Sequence, residues 1–86
     1  MDSFHVYVLK SLSFGCLYVG STGNLDKRVV QHNEGFSRFT KGRRPWTLIY
    51  KESYNSRAEA MRREKFLKSG QGRELLKKLI YSNVER

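Results

Sequence analysis

The first half of the chain alternates short apolar runs with turn residues, as β-strands separated by turns do. Residues 5–9 (HVYVL) are rich in β-branched and aromatic side chains, which favour a strand. Residues 11–15 carry the serines and the glycine of a turn, and residues 17–20 (LYVG) form a second apolar run. The spacing predicts an antiparallel hairpin. A third strand is predicted over residues 46–51 (WTLIYK).

A first helix is predicted directly after the hairpin. Asn24 is a good N-cap residue, and the following residues suit a helix from Leu25 to about Asn33. Gly35 then ends the helix. Residues 36–45 are predicted to form a basic loop.

Two further helices are predicted after the third strand. Ser56 and Glu59 have the spacing of a capping box, in which each side chain satisfies a free backbone amide of the other. This helix is expected to end near Ser69, where Gly70 and Gly72 break the pattern. The last helix carries apolar residues at helical spacing, namely Leu75, Leu76, Leu79 and Ile80.

The predicted order of elements is therefore ββαβαα. In so short a chain this order favours an α+β fold, with a small, three-stranded, mainly antiparallel sheet flanked by helices. The length of 86 residues allows one domain, which we assign to residues 1–86.

Charge narrows the choice of partner. The chain holds 17 Lys and Arg against 8 Asp and Glu, a formal net charge of +9. Such an excess on a small surface attracts polyanions, and nucleic acid is the commonest of them. A basic protein that associates with ribosomes, or is simply basic, is the alternative that charge alone leaves open.

Cysteine content and hydropathy exclude several other classes. The lone Cys16 allows neither an intramolecular disulfide nor a cysteine-based zinc site. No apolar run approaches the ~20 residues that span a bilayer. The N-terminus lacks the features of a signal peptide, so we expect a cytoplasmic protein without membrane contact.

Glu64 is the most informative single position. On a helical wheel it falls between Ala60, Met61 and Leu67, which form an apolar stripe. A carboxylate within such a stripe needs a partner, because its desolvation is costly. One interpretation is an ion pair with an arginine. The other is a ligand for Mg²⁺ or Mn²⁺, which take oxygen donors.

Arg28 and His32 lie one turn apart on the same side of the first helix, at the margin of the stripe that Leu25 and Val29 form. Arg28 could bind a phosphate through two hydrogen bonds. His32 could bind a phosphate oxygen or exchange a proton near neutral pH. Ordinary solvent-facing polarity is the alternative for each residue.

Tyr7 and Tyr18 lie on two strands that we expect to pair. Packing is the usual role of tyrosines in a small sheet, and a tyrosine that acts as a base needs a cationic neighbour, since its pKa is normally near 10. Gly20 would allow a ligand or another part of the chain to come close.

The predicted loop between the first helix and the third strand is a candidate DNA-binding segment. Its basic and aromatic side chains could bind phosphates and stack on bases, although a solvated charged loop would show the same composition. With Lys27 of the first helix, we predict that the DNA-binding residues are Arg38, Lys41, Arg43 and Arg44.

Taken in order, these positions resemble the GIY-YIG nuclease family. The first signature, Gly-Ile-Tyr, stands here as residues 5–7 (HVY), and the second, Tyr-Ile-Gly, as residues 18–20 (YVG). Residues 21–28 (STGNLDKR) are similar to the family's segment after the second signature. Further matching segments follow at residues 31–35 (QHNEG), 40–46 (TKGRRPW) and 59–64 (EAMRRE), as in the short, stand-alone bacterial members.

The resemblance implies a single-metal endonuclease that hydrolyses phosphodiester bonds in DNA. In that scheme Glu64 holds Mg²⁺ or Mn²⁺ and Arg28 stabilises the charge that builds on phosphorus. Tyr7 or Tyr18 deprotonates the attacking water, and His32 binds phosphate or transfers a proton. The expected role is structure-selective or weakly specific cleavage in DNA repair or recombination. Larger relatives attach this module to separate DNA-binding domains, so here a partner protein or DNA shape would select the target.

This chain departs from the family at two points. His5 replaces the glycine of the first signature. Some members use an asparagine downstream of the metal-binding glutamate, and Asn83 is the only candidate here, at a spacing too loose to carry the role over.

Two other functions compete with the nuclease. One is a nucleic-acid-binding module of the same fold with little or no activity. The other is a homodimer or adaptor that uses Phe36, Phe39 and Trp46. The sequence leaves the oligomeric state open.

Overall fold

A computed structural model of the protein describes the backbone of residues 3–84 and the side chains of residues 3–80. The strands are β1 (Phe4–Ser11), β2 (Leu17–Thr22) and β3 (Trp46–Tyr54). The helices are α1 (Leu25–Glu34), α2 (Arg38–Lys41), α3 (Arg57–Leu67) and α4 (Gly70–Val84). The predicted elements are all present, and α2 is an addition to them.

The three strands form one antiparallel sheet in the order β2-β1-β3, which confirms the predicted fold class. The central strand β1 is buried on both faces, and this explains why its sequence is a continuous apolar run. Val6 and Val8 contribute to the core on one side of the sheet, together with residues of α3 and α4. Tyr7 and Leu9 contribute to the core on the other side, beside α1.

The predicted N-caps of α1 and α3 and the predicted end of α1 are confirmed. The Asn24 side chain accepts a hydrogen bond from the Lys27 amide, and Gly35 closes α1 in the left-handed conformation, with φ of 86°. At the start of α3 the Ser56 hydroxyl accepts a hydrogen bond from the Glu59 amide, which is one half of the predicted capping box. These contacts satisfy amides that a helix leaves free at its first turn.

Part of the predicted basic loop is helical instead. Residues 38–41 form α2, and this short helix places Thr40 in the interior, where its hydroxyl meets His32. The Trp46 indole donates a hydrogen bond to the Thr40 carbonyl oxygen at 2.8 Å. The segment is therefore held by buried hydrogen bonds of Thr40, which its charged composition did not predict.

Helix α3 ends at Leu67, close to the predicted end near Ser69. The two glycines are not the cause of this break, because α4 begins at Gly70 and continues through Gly72. A β-carbon at Gly72 would lie 1.9 Å from the Phe66 carbonyl oxygen. Gly72 is therefore required by the close approach of α4 to the end of α3.

Two other expectations are corrected by burial. Met61 is 55% exposed, so the buried stripe of α3 is limited to Ala60 and Leu67. Glu64 consequently lies at the margin of the stripe and not at its centre. Trp46 is buried in the core and is not available for a surface that recruits a partner, whereas Phe36 and Phe39 are exposed.

An ion pair between Glu52 of β3 and Arg63 of α3 joins the sheet to the helical layer. Arg63 donates two hydrogen bonds to the carboxylate, at 2.9 and 3.1 Å, and the hydroxyls of Tyr50 and Tyr54 donate two more. Burial alone would raise the pKa of Glu52, but these hydrogen bonds outweigh it and hold the pKa below its ordinary value.

We expect Glu52→Gln to lower the free energy of unfolding by about 2 kcal/mol, because the partly buried Arg63 would lose its charged partner. Urea denaturation at neutral pH measures this effect. The matched control is Glu74→Gln, which removes an exposed pair with Lys77 at 3.8 Å and should change stability by less than about 0.5 kcal/mol. Equal effects of the two substitutions would contradict the structural role of Glu52.

Candidate active site

The candidate site lies at the edge of the sheet, where β2 runs between α1 and α3. Alternate residues of a strand face opposite sides of a sheet. Tyr18 and Gly20 accordingly lie on the side of α1, beside His32 and Tyr7. Ser21 lies on the side of α3, where its hydroxyl donates a hydrogen bond to Glu64. The edge strand therefore brings groups from both helical layers to one place.

The Tyr7 side chain passes over Gly20, the residue that lies opposite Tyr7 on the neighbouring strand β2. A β-carbon on Gly20 would lie 2.5 Å from the Tyr7 hydroxyl oxygen. The glycine was predicted to admit a ligand or another part of the chain, and it admits the phenol. Tyr7 is itself only 1% exposed, so its ring has little freedom to move aside.

His32 is fully buried and links Tyr7 to α2. Its Nε2 lies 2.9 Å from the Tyr7 hydroxyl, and its Nδ1 lies 2.9 Å from the Thr40 hydroxyl. Because the Thr40 hydroxyl can donate onward to the Ser37 carbonyl oxygen at 3.4 Å, the network favours a proton on Nδ1. Nε2 then accepts the hydrogen bond from Tyr7.

The electrostatics of this network keep both rings neutral near pH 7. Burial, with a smaller contribution from the Arg28 charge, lowers the pKa of His32 to about 4. Burial raises the pKa of Tyr7 to about 12, although the Arg28 guanidinium beside the phenol works in the opposite direction. At neutral pH, His32 therefore accepts the hydrogen bond that the Tyr7 hydroxyl donates.

Arg28 faces the two tyrosines from α1 and borders a polar cleft of about 380 Å³. Its guanidinium donates a hydrogen bond to the Gln31 side chain at 3.3 Å. Lys27 and Arg57 also line the cleft, so three cations share one concave surface. A cleft of this kind suits a phosphate group.

Glu64 meets this group of residues from α3. Its Oε1 accepts a hydrogen bond from Ser21 at 2.6 Å, and its Oε2 lies 2.6 Å from the Lys68 ammonium. The carboxylate side chain is 22% exposed and Lys68 is 48% exposed. The expected alternative of a pair with an arginine is therefore replaced by a pair with a lysine that remains open to solvent.

The oxygen donors at Glu64 fit a magnesium-type ion held by few protein ligands. Within residues 3–80 no cluster of three acidic, histidine or cysteine side chains is placed to hold a metal. One carboxylate, completed by waters and substrate phosphate oxygens, is nevertheless a common way to hold Mg²⁺. The Lys68 ammonium already shows that the exposed carboxylate oxygen attracts a cation.

Tyr18 is half-buried at the centre of an aromatic group. Its ring centroid lies 4.9 Å from that of His32 and 5.7 Å from that of Phe39. The Lys68 ammonium lies 5.9 Å from the Tyr18 centroid, within the range of a cation–π contact. Tyr18 thus adjoins both the His32 network and the ion pair of Glu64.

The predicted DNA-binding residues are exposed but do not form one patch around the carboxylate. Lys27 borders the polar cleft, whereas the Arg43 guanidinium lies 5.4 Å from the Phe39 ring centroid. Arg44 donates a hydrogen bond to the Lys41 carbonyl oxygen at 2.7 Å. Arg38 is exposed on α2. Their role in binding DNA stays a prediction.

Several residues of the site were missed by sequence reasoning. Ser21 follows the second signature directly, but a serine at the end of a strand carries no distinctive signal. Thr40 lies in the basic segment that was predicted to be a loop, and nothing in that segment indicated a buried residue. Lys68 could have been found, since it lies four residues after Glu64, the spacing of helical ion pairs. Asn83 lies outside the residues whose side chains the structure describes.

Comparison with known proteins identifies the class. The model of the GIY-YIG catalytic domain matches residues 3–78. The chain therefore belongs to the GIY-YIG family of nuclease domains, as its signatures indicated.

Individual relatives agree with this assignment. The chain is similar to the solution NMR structure of a UPF0213 protein from Bacillus halodurans, with 34% identity and a TM-score of 0.55, over 90% of this chain and 84% of that one. A UPF0213 protein of Staphylococcus haemolyticus is 40% identical over 90% of this chain and 94% of its own. One from Halobacterium salinarum is 48% identical over 70% of this chain and 78% of its own.

No helix within residues 3–84 is long and apolar enough to cross a membrane.

Protonation of His32 should link stability to pH. In the unfolded chain a histidine titrates near 6.5, whereas the pKa of folded His32 is about 4. Between these values the unfolded state binds more protons, so stability is lost as the pH falls, by up to roughly 3 kcal/mol. Urea denaturation from pH 7 to 5 should show this slope, and His32→Gln should flatten it. A slope that the variant retains in full would contradict the buried neutral state.

Proposed function

We propose that this protein is a divalent-metal-dependent endonuclease that hydrolyses phosphodiester bonds in DNA. The observation that carries the proposal is the convergence of Tyr7, Arg28, His32 and Glu64 at the edge strand β2. The pKa of Tyr7 responds to the charges of both Arg28 and Glu64, although these residues come from helices on opposite faces of the sheet. A structural role alone does not require an acid, a guanidinium and a phenol to share one edge.

Glu64 would hold the Mg²⁺ or Mn²⁺ ion, with Ser21 fixing one oxygen of the carboxylate. When bound, such an ion supplies positive charge that stabilises the leaving oxygen and the charge on phosphorus. Lys68 would have to leave the second carboxylate oxygen, and its exposure allows this.

Tyr7 and His32 would act together as the base. Tyr7 alone is a weak base at neutral pH, because its phenol stays protonated when burial raises its pKa to about 12. Its hydroxyl donates to His32 Nε2, so the phenol oxygen can accept a proton from water while it passes its own proton to the imidazole. This path favours Tyr7 over Tyr18 as the residue next to the attacking water.

Arg28 connects phosphate binding to this proton path. The charge of Arg28 contributes to the low pKa of His32. A phosphate bound at Arg28 would offset that charge and make His32 a stronger base when the substrate is present. Arg28 would also stabilise the additional negative charge of the transition state.

We expect Glu64→Ala to abolish DNA cleavage while DNA binding is retained, because the substitution removes the metal ligand and leaves the basic surface intact. Branched, nicked and linear DNA with Mg²⁺ or Mn²⁺ are suitable substrates. Glu59→Ala, on an exposed position of the same helix, is the control and should cut normally. Equal cutting by both variants would remove the proposed metal role. Binding without any cutting by the unaltered protein would indicate a nucleic-acid-binding module of the same fold.

We expect Arg28→Ala to reduce the cleavage rate by about 10²–10³-fold and the affinity for DNA by less than about tenfold. The adjacent Lys27→Ala is the matched control, since Lys27 borders the same cleft without facing the phenols. Its cleavage and affinity should fall in proportion, as expected for a residue that only binds phosphate. A proportional loss in Arg28→Ala as well would make Arg28 a simple binding residue.

A further inference from the structure

A second concave surface follows β2 beside the candidate site and is separate from the polar cleft at Arg28. It encloses about 720 Å³, a volume within the range of small-molecule pockets. Its floor consists of Val19, Leu67 and Leu76, which also belong to the buried core. The apolar cavity therefore reaches through the helical layer to the sheet.

Aromatic side chains form one wall of the apolar cavity. The rings of Tyr18 and Phe39 lie there with their centroids 5.7 Å apart. Phe39 is 60% exposed. An exposed phenylalanine beside a deep apolar surface offers a face on which a flat ring can stack.

Cations border the same cavity. Lys68, Arg73 and Lys77 line it, and the described lining residues include neither Asp nor Glu. Lys68 also pairs with Glu64, so the cavity and the candidate site adjoin each other at Lys68. Its ligand should therefore combine an apolar ring with adjacent negative charge and should be continuous with a group held at Glu64.

We propose that the apolar cavity binds one unstacked base of a DNA strand, next to the phosphate that the candidate site would cut. The base would stack on Phe39 and Tyr18, and flanking phosphates would contact Lys68, Arg73 and Lys77. This inference rests on the proposed function, because it places the base relative to the cleaved bond.

The preferred substrate class follows from the cost of exposing a base. In a perfect duplex the base must be unpaired and unstacked before it can enter the cavity, at a cost of a few kcal/mol. An unpaired nucleotide at a bulge, gap or flap avoids most of this cost. The protein should therefore favour DNA that has unpaired nucleotides. The alternative occupant is a protein with apolar side chains. Such a partner could pack against the apolar floor of the cavity, but it would leave the three cations at its border without negative partners.

The test uses two DNA molecules of the same sequence, a perfect duplex and a duplex in which one strand carries a single unpaired 2-aminopurine. Affinity is measured without divalent metal, so that the DNA stays intact, and cleavage is measured with Mg²⁺ or Mn²⁺. The variants are Phe39→Ala and the matched control Phe36→Ala, whose phenylalanine is also exposed and lies outside the cavity.

We expect the unaltered protein and Phe36→Ala to bind the bulged DNA about tenfold more tightly than the duplex, and Phe39→Ala to lose most of this preference. Stacking should quench 2-aminopurine fluorescence in the first two proteins and not in Phe39→Ala. Equal binding of both DNA molecules by the unaltered protein would overturn the proposal. A preference that Phe39→Ala retains, or that both variants lose equally, would overturn it as well.

The two proposals fail in different ways. Cleavage without a preference that depends on Phe39 would overturn the base-binding cavity and leave the nuclease standing. A preference that depends on Phe39, without cleavage of any DNA, would overturn the nuclease and support the cavity as a site for unpaired bases.

Discussion

The contact between the Tyr7 hydroxyl and His32 Nε2 joins the core of this protein to its candidate site. Tyr7 belongs to the central strand, which is buried on both faces, and His32 is the buried polar residue of α1. Their hydrogen bond satisfies both side chains in the interior, where an unpaired polar group would be costly. The same bond keeps the phenol proton next to a neutral acceptor. The packing of the core and the proposed chemistry therefore both require the Tyr7 hydroxyl to lie next to His32 Nε2.

The edge position of β2 makes this geometry available to a substrate. A central strand would be covered on both sides by neighbours, but β2 has a free edge between two helical layers. Gly20 admits the Tyr7 phenol on the α1 side, and Ser21 orients Glu64 on the α3 side. Two successive residues of one strand thus connect groups that are far apart in the sequence.

Much of this arrangement could be predicted from the sequence, because short-range rules govern its parts. The strand pattern, the Asn24 cap and the end of α1 at Gly35 depend on neighbouring residues, and all three are present. The contacts that were missed depend on distant residues. Thr40 is buried because α1 presents His32 to it. Met61 is exposed because no element among the described residues covers that side of α3. Gly72 follows the same rule, since only the approach of α4 to Phe66 explains it.

Lys68 shows how charge and shape are connected in the site. Its ammonium lies 2.6 Å from Glu64 and 5.9 Å from the Tyr18 ring, and it also lines the apolar cavity. A lysine is a compact charge on a flexible stem, so it can neutralise the carboxylate or contact a phosphate, but not both at once. Without DNA the first contact offsets the partial desolvation of the Glu64 carboxylate. With DNA the second contact would free Glu64 for the cation that the proposed function requires, and this would couple substrate binding to assembly of the site.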